Sequence, residues 1–173
     1  LNELARAIKA DPMKLSRELG KLEKENIFVA RTSGKQKYYK LNKNYLFYNE
    51  LKNIVAKTVG VEGRLNEIFK NAPGFKFCFI YGSYATDEDS AASDIDLFII
   101  GRKQALDSAV ESLSRLEKKI GREINYRFFS DADFKKALTE KNSFILNVIK
   151  NKKIFLTGNE KNFRKLIRGG ADL

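Results

Sequence analysis

The sequence predicts an α+β protein of two unlike parts, in which helices and a hairpin are joined by a further helix to a small α/β domain. Three observations carry this reading. Helical apolar spacing early in the chain gives way to two short strand patterns on either side of Ser33-Gly34-Lys35. Beyond residue 60, the apolar runs Phe75–Tyr81 and Ile95–Ile100 alternate with helical patterns. Positive charge gathers at the start, where residues 1–44 hold 11 Lys and Arg against 5 Asp and Glu, out of 33 and 22 in all 173 residues. The expected division is therefore 1–44, a connecting helix at 45–59, and a second domain at 60–173.

Leu1, Leu4, Ala5 and Ile8 follow helical spacing, and Asp11-Pro12 then offers an N-cap followed by proline at the first helical position. A second helix starts there, with Leu15, Leu19 and Leu22 as its apolar stripe and Lys14, Ser16, Arg17, Lys21 and Lys24 on other faces. Ile27–Thr32 and Gln36–Leu41 read as two strands of a hairpin whose tip and flanks carry Arg31, Lys35 and Lys37. Helix, short turn and basic helix outline a helix-turn-helix, and the hairpin would be its wing.

This order resembles the winged helix-turn-helix regulators of the arsenic-repressor and multiple-antibiotic-resistance type, over roughly residues 1–42. The resemblance rests on Leu15-Ser16-Arg17-Glu18-Leu19, Leu22-Glu23-Lys24 and Gly34-Lys35-Gln36-Lys37-Tyr38-Tyr39. It implies DNA binding, with Lys14, Ser16, Arg17 and Lys21 toward the major groove and Arg31, Lys35 and Lys37 along the backbone. Arg17 is the first candidate for a base contact. Such domains usually carry another helix ahead of these two, so residues are expected before Leu1.

From Tyr45 to Lys57, Leu46, Leu51, Ile54 and Val55 mark an amphipathic connecting helix, also a candidate for pairing in a homodimer. Gly60 and Gly63 punctuate the chain, Leu65, Ile68 and Phe69 continue a short helix, and Ala72-Pro73-Gly74 ends it. After the strand Phe75–Tyr81 come Gly82-Ser83, a short helix or turn through Ala85, the acidic loop Asp87-Glu88-Asp89-Ser90, and a strand carrying Asp94 and Asp96. Ala105, Leu106, Ala109, Val110, Leu113 and Leu116 mark a helix, followed by Gly121 and a strand from Glu123 to Phe129. Helical stretches near Ala132–Leu138 and Phe144–Lys150, a strand at Ile154-Phe155-Leu156 and a basic helical end complete the order.

Residues two apart on a strand share a face, so Asp94 and Asp96 converge while Ile95 and Leu97 turn into a core. Two such carboxylates suit Mg²⁺, which takes oxygen ligands and often joins one or two carboxylates to substrate phosphates. Gly82 permits close approach of a phosphate, and Ser83 adds a hydroxyl donor.

Together, Gly82-Ser83-Tyr84-Ala85 and Ser93-Asp94-Ile95-Asp96-Leu97, with the helix and strand that follow, resemble the DNA polymerase β type nucleotidyltransferases, especially the minimal ones, over about residues 64–157. The second domain is accordingly expected to be a mixed-sheet, nucleotidyltransferase-like α/β domain. The resemblance implies transfer of a nucleoside monophosphate from a nucleoside triphosphate to an acceptor hydroxyl. Asp94 and Asp96 would hold Mg²⁺ or Mn²⁺, and Gly82 and Ser83 the phosphates. Members usually have a third carboxylate on the later strand. Here Arg122-Glu123-Ile124-Asn125-Tyr126 puts Asn125 there, which cannot act as a base, and Glu123 is the candidate substitute. Asp87 stands where the family has glycine, and with Glu88 and Asp89 it sets negative charge near the triphosphate. Tyr81, Tyr84 and Tyr126 are candidates for stacking on a base, or for the core.

Histidine is absent, which excludes Ser-His-Asp and Cys-His catalysis and histidine-ligated metals. The single cysteine, Cys78, excludes an internal disulfide, suits a reducing compartment and reads as a core residue. With no apolar run near membrane length, the expected location is the cytoplasm and no membrane partner is expected. Two functions fit: a metal-dependent nucleotidyltransferase positioned by a DNA-binding winged helix, or a DNA-binding transcriptional regulator or antitoxin whose second domain binds nucleotide without turnover. Minimal nucleotidyltransferases often act beside a toxin partner, so a protein acceptor belongs among the expected partners.

Overall fold

A computed structural model describes residues 1–34, 36–86 and 93–171 of the chain. It divides into two compact units, Leu1–Val55 and Ala56–Leu173.

The first unit opens with helices α1 (Asn2–Ala7) and α2 (Pro12–Lys24). As the sequence predicts, Asp11 caps α2: its side chain accepts a hydrogen bond from the Lys14 amide at 2.8 Å, and Pro12 occupies the first helical position. Strands β1 (Phe28–Ser33) and β2 (Gln36–Leu41) pair antiparallel, with Ser33 opposite Gln36. The first strand is shifted one residue from the expected Ile27–Thr32, because the Ile27 amide is drawn to the Leu22 carbonyl behind α2. Only Ala5 and Leu19 of this unit are buried among the described residues.

Helix α3 (Tyr48–Thr58) starts three residues later than the expected Tyr45. Turn hydrogen bonds from the Tyr45 amide to the Asn42 carbonyl and from the Tyr48 amide to the Tyr45 carbonyl occupy the intervening backbone, and Leu46 is 81% exposed rather than part of a helical stripe. Gly60 caps α4 (Val61–Lys70), but Gly63 lies inside that helix instead of breaking the chain. A Cβ at Gly63 would come within 2.0 Å of the Thr58 carbonyl oxygen, so glycine is needed for close approach there.

The remaining elements are β3 (Phe75–Tyr81), α5 (Ser83–Thr86), β4 (Ile95–Gly101), α6 (Lys103–Ile120), β5 (Ile124–Phe129), α7 (Asp131–Thr139), α8 (Ser143–Lys150), β6 (Ile154–Thr157) and α9 (Glu160–Ala171). The four strands form one mixed sheet in the order β5-β4-β3-β6, antiparallel except for the β4–β5 pair. Helix α6 is the crossover that lets β5 run parallel to β4, and Gly121 ends it in a left-handed conformation, φ 65°.

Both sheet faces are covered. On one, Cys78, Ile80, Ile95, Leu97 and Ile99 pack with Leu65 and Phe69 of α4 and Leu106, Leu113 and Leu116 of α6. On the other, Phe77, Phe79, Phe98 and Ile100 pack with Phe134, Ile145, Val148 and Phe163 of the last three helices. Here the rings of Phe79 and Phe98 stack 5.0 Å apart, and Phe163 meets Phe79 edge-on at 5.1 Å. Burial pushes the Cys78 thiol well above its ordinary range, in keeping with a packing role. Among the described residues, no helix is long and apolar enough to cross a membrane.

Phe79 touches several rings and is fully buried, so Phe79→Ala is expected to cost about 3–5 kcal/mol. The check is equilibrium denaturation followed by far-ultraviolet circular dichroism; a loss below about 1 kcal/mol would contradict tight packing of this face.

Candidate active site

Strand β3 delivers Tyr81 to the end of the sheet, where Gly82 turns the chain into α5 with φ 74°. That left-handed conformation favours glycine, and a Cβ at Gly82 would lie 2.7 Å from Asp96 Oδ2. The turn and Asp96 are thus fitted to each other. Ser83 begins α5, a single turn long. The acidic loop Asp87-Glu88-Asp89-Ser90 falls outside the described residues.

The strand pairings set Tyr81, Asp96 and Asn125 in one row, Tyr81 opposite Asp96 across the antiparallel pair and Asp96 opposite Asn125 across the parallel pair. Asp94 lies just ahead of β4 rather than within it, so only Asp96 of the two is a strand residue. The strand starts at Ile95 because its amide is the first to bond across to β5, donating to the Glu123 carbonyl at 2.9 Å. The intervening Ile95 and Leu97 are fully buried on the opposite face, as alternation predicts. Asn125 Nδ2 donates to Asp94 Oδ2 at 3.3 Å, which brings Asp94, Asp96 and Asn125 together.

Glu123 is exposed just ahead of β5. Among the described residues, no three acidic, histidine or cysteine side chains are grouped to hold a metal ion, so Glu123 is not gathered with the two aspartates. The Asp96 carboxyl is held above the ordinary Asp range, first by partial burial and then by the charge of Asp94. A carboxylate pair in which the charge of Asp94 raises the proton affinity of Asp96 forms a donor set suited to a divalent cation, whose charge would offset that repulsion. Asn125 presents its amide nitrogen here; turned about its last bond, it would offer an oxygen as a neutral third ligand.

Three residues that the sequence did not single out complete the surroundings. Arg122 donates from Nε to the Ser93 carbonyl at 2.7 Å and lies 5.4 Å from the centre of the Tyr84 ring, tying the approach to Asp94 to α5. Arg127 stands two residues beyond Asn125 on the same strand face and lies 5.8 Å from the Phe144 ring centre. The same Phe144 ring meets Tyr81 edge-on at 5.9 Å. The period-two spacing from Asn125 was the available signal for Arg127. Nothing local marks Phe144, which arrives from α8. Of the three candidate stacking tyrosines, Tyr81 borders the site, Tyr84 packs under Arg122, and Tyr126 pairs with Leu97 and is 40% exposed. A cavity of about 360 Å³ between α4 and α6, lined by Arg64, Ser112, Arg115 and Lys119 among others, is separate from this constellation.

In the first unit, Lys14, Ser16, Arg17 and Lys21 are all exposed on α2. Lys21 pairs with Glu18 at 2.8 Å, and Lys37 on β2 pairs with Glu23 at 2.6 Å. Arg31 lies 5.9 Å from the Tyr38 ring centre. Lys35 falls outside the described residues.

The family model described as "Polymerase beta, Nucleotidyltransferase" matches residues 63–161. No curated protein matches the chain. Among solved structures, the chain is similar to a toxin-antitoxin crystallised with AMP-PNP, at 13% identity and TM-score 0.42, covering 65% of this chain and 85% of that one. It is also similar to a mutant of the toxin-antitoxin MntA-HpeT, at 12% identity and TM-score 0.41, covering 64% and 84%.

Because its carboxyl is held above the ordinary Asp range, Asp96 binds a proton more readily in the folded chain than in the unfolded one, and its ionisation works against the fold. That penalty is present at neutral pH, fades as pH falls through the raised value, and is gone below the ordinary Asp range. With a chelator present, Asp96→Asn is therefore expected to melt above the parent at neutral pH, and the gap should close on acidification. Thermal melts across that range test this; a variant that melts lower at neutral pH would refute it.

Proposed function

Because the chain belongs to the polymerase beta nucleotidyltransferase family, we propose that it transfers a nucleoside monophosphate from a nucleoside triphosphate to an acceptor hydroxyl in the cytoplasm, positioned by a DNA-binding winged helix. The observation that carries this reading is the convergence of Asp94, Asp96 and Asn125 beside the Gly82 turn. Asp94 and Asp96 would hold Mg²⁺ or Mn²⁺, with Asn125 as a neutral neighbour; when bound, the ion neutralises charge developing on the phosphates. Gly82 and Ser83 lie on the β3 side of the pair and are assigned to the phosphates.

In the transfer, the acceptor oxygen bonds to the α-phosphorus, the bond from that phosphorus to the bridging oxygen breaks, and pyrophosphate leaves with the electron pair. Asn125 has no site for the hydroxyl proton. The proton passes to solvent, which reaches the exposed Asp94 and Asn125. Tyr81 cannot serve as the base at neutral pH, since burial and the charge of Asp96 hold its hydroxyl above its ordinary range despite the opposing pull of Arg127.

Asn125 is also the observation that favours a second reading, a regulator or antitoxin that binds nucleotide without transferring it. Incubation with labelled nucleoside triphosphates and Mg²⁺ separates the two. The enzyme reading expects pyrophosphate release and labelled acceptor, both falling by about two orders of magnitude or more in Asp94→Ala/Asp96→Ala. Release no greater in the parent than in the double variant, across nucleic-acid and protein acceptors, would favour the binding reading.

The basic α2 and the hairpin support the winged-helix assignment, with Lys14, Ser16 and Arg17 toward the major groove and Arg31, Lys35 and Lys37 along phosphates. Lys21 and Lys37 must exchange Glu18 and Glu23 for phosphate, so less of their charge is at hand than of Arg17's. Arg17→Ala is expected to weaken DNA binding by about 1–3 kcal/mol and to lower the salt dependence, in titrations at several salt concentrations. Binding unchanged by Arg17→Ala together with Lys14→Ala would remove this surface.

A further inference from the structure

The face of β5 that brings Asn125 to Asp94 continues through Arg127, two residues on and opposite Phe98 of β4. The Arg127 guanidinium lies 5.8 Å from the centre of the Phe144 ring, and Tyr81, which pairs with Asp96, meets that ring edge-on at 5.9 Å. Phe144 is itself stacked on Phe98 at 6.2 Å and half-buried. One ring therefore fixes both the tyrosine and the arginine beside the carboxylate row. Among the described residues, Arg127 makes no ion pair, although the chain's other arginines at 115 and 164 pair with a glutamate four residues away on their own helices.

A site that carries Asp94 and Asp96 repels an approaching polyphosphate, and a fixed cation on the same face offsets that repulsion. Guanidinium is well matched to the task. Its planar fork meets phosphate oxygens with two parallel hydrogen bonds, and a cation–π contact with a ring face uses none of its N–H donors. Phe144 thereby holds the guanidinium before the ligand arrives, which lowers the entropy lost on binding.

We propose that Arg127, held against Phe144 beside Tyr81, is a further nucleotide-binding residue that grips a phosphate of the nucleoside triphosphate. This rests on the nucleotidyltransferase reading of the Asp94/Asp96 site. Arg127 is exposed, so its replacement leaves the fold intact.

The test is calorimetric titration of the full chain with ATP and with GTP in the presence of Mg²⁺, for the parent, Arg127→Gln and Arg127→Lys, with thermal melts to verify folding. Arg127→Gln is expected to bind the better of the two nucleotides about tenfold more weakly, and Arg127→Lys, a point charge without the fork, to fall between it and the parent. Affinity of Arg127→Gln within twofold of the parent would overturn the role of Arg127 and leave the nucleotide reading standing. A parent that binds neither nucleotide would overturn both.

Discussion

The register of β4 is the constraint on which the rest of the second unit depends. Ile95, Leu97, Phe98, Ile99 and Ile100 are all fully buried, so this strand is enclosed on both faces. A slip of one residue would carry Asp96 into the layer of Ile95 and Leu97, where a carboxylate has no partner, and would turn an isoleucine toward solvent. Burial therefore locks Asp96 to the opposite face. The antiparallel neighbour then sets Tyr81 and the Gly82 turn beside it, and the parallel neighbour sets Asn125. A hydrophobic effect without direction becomes, through strand pairing, a specific chemical arrangement.

Much of this was legible in the sequence because it depends on local period and punctuation. The Asp11-Pro12 cap, the limits of β3, the single turn after Gly82 and the crossover helix ended by Gly121 all follow from signals a few residues long. So does the burial of Ile95 and Leu97 behind the aspartates. The misplaced features are those decided by contacts along or across the backbone. Helical spacing at Leu46 points Tyr45–Phe47 into a helix, whereas turn hydrogen bonds claim that backbone. Gly63 looked like punctuation because only the approach of the Thr58 carbonyl shows why a helix would contain it.

The candidate site divides in the same way. Asp94, Asp96 and the substitution at Asn125 are visible because they stand at fixed spacing in or just ahead of two strands, although Asp94 itself precedes β4. The pairing of Asn125 with Asp94 follows from β4 and β5 lying in register, which α6 brings about over many residues. Arg122 and Phe144 could not be read, since one acts on a carbonyl 29 residues away and the other is delivered by α8. The first unit, with few buried side chains, offers less structure to read, and its charge pattern remains its clearest statement.

Cys78 shows how the core bears on what can be done with the chain at the bench. It is the only cysteine, it lies in the middle of β3 with none of its surface exposed, and burial keeps its thiol protonated. Thiolate is the reactive form, so maleimides and similar reagents find no native target while the sheet is intact. A cysteine introduced at any exposed position would thus be a unique attachment point for a fluorophore or spin label, with no need to remove the native thiol and leave a void between the layers.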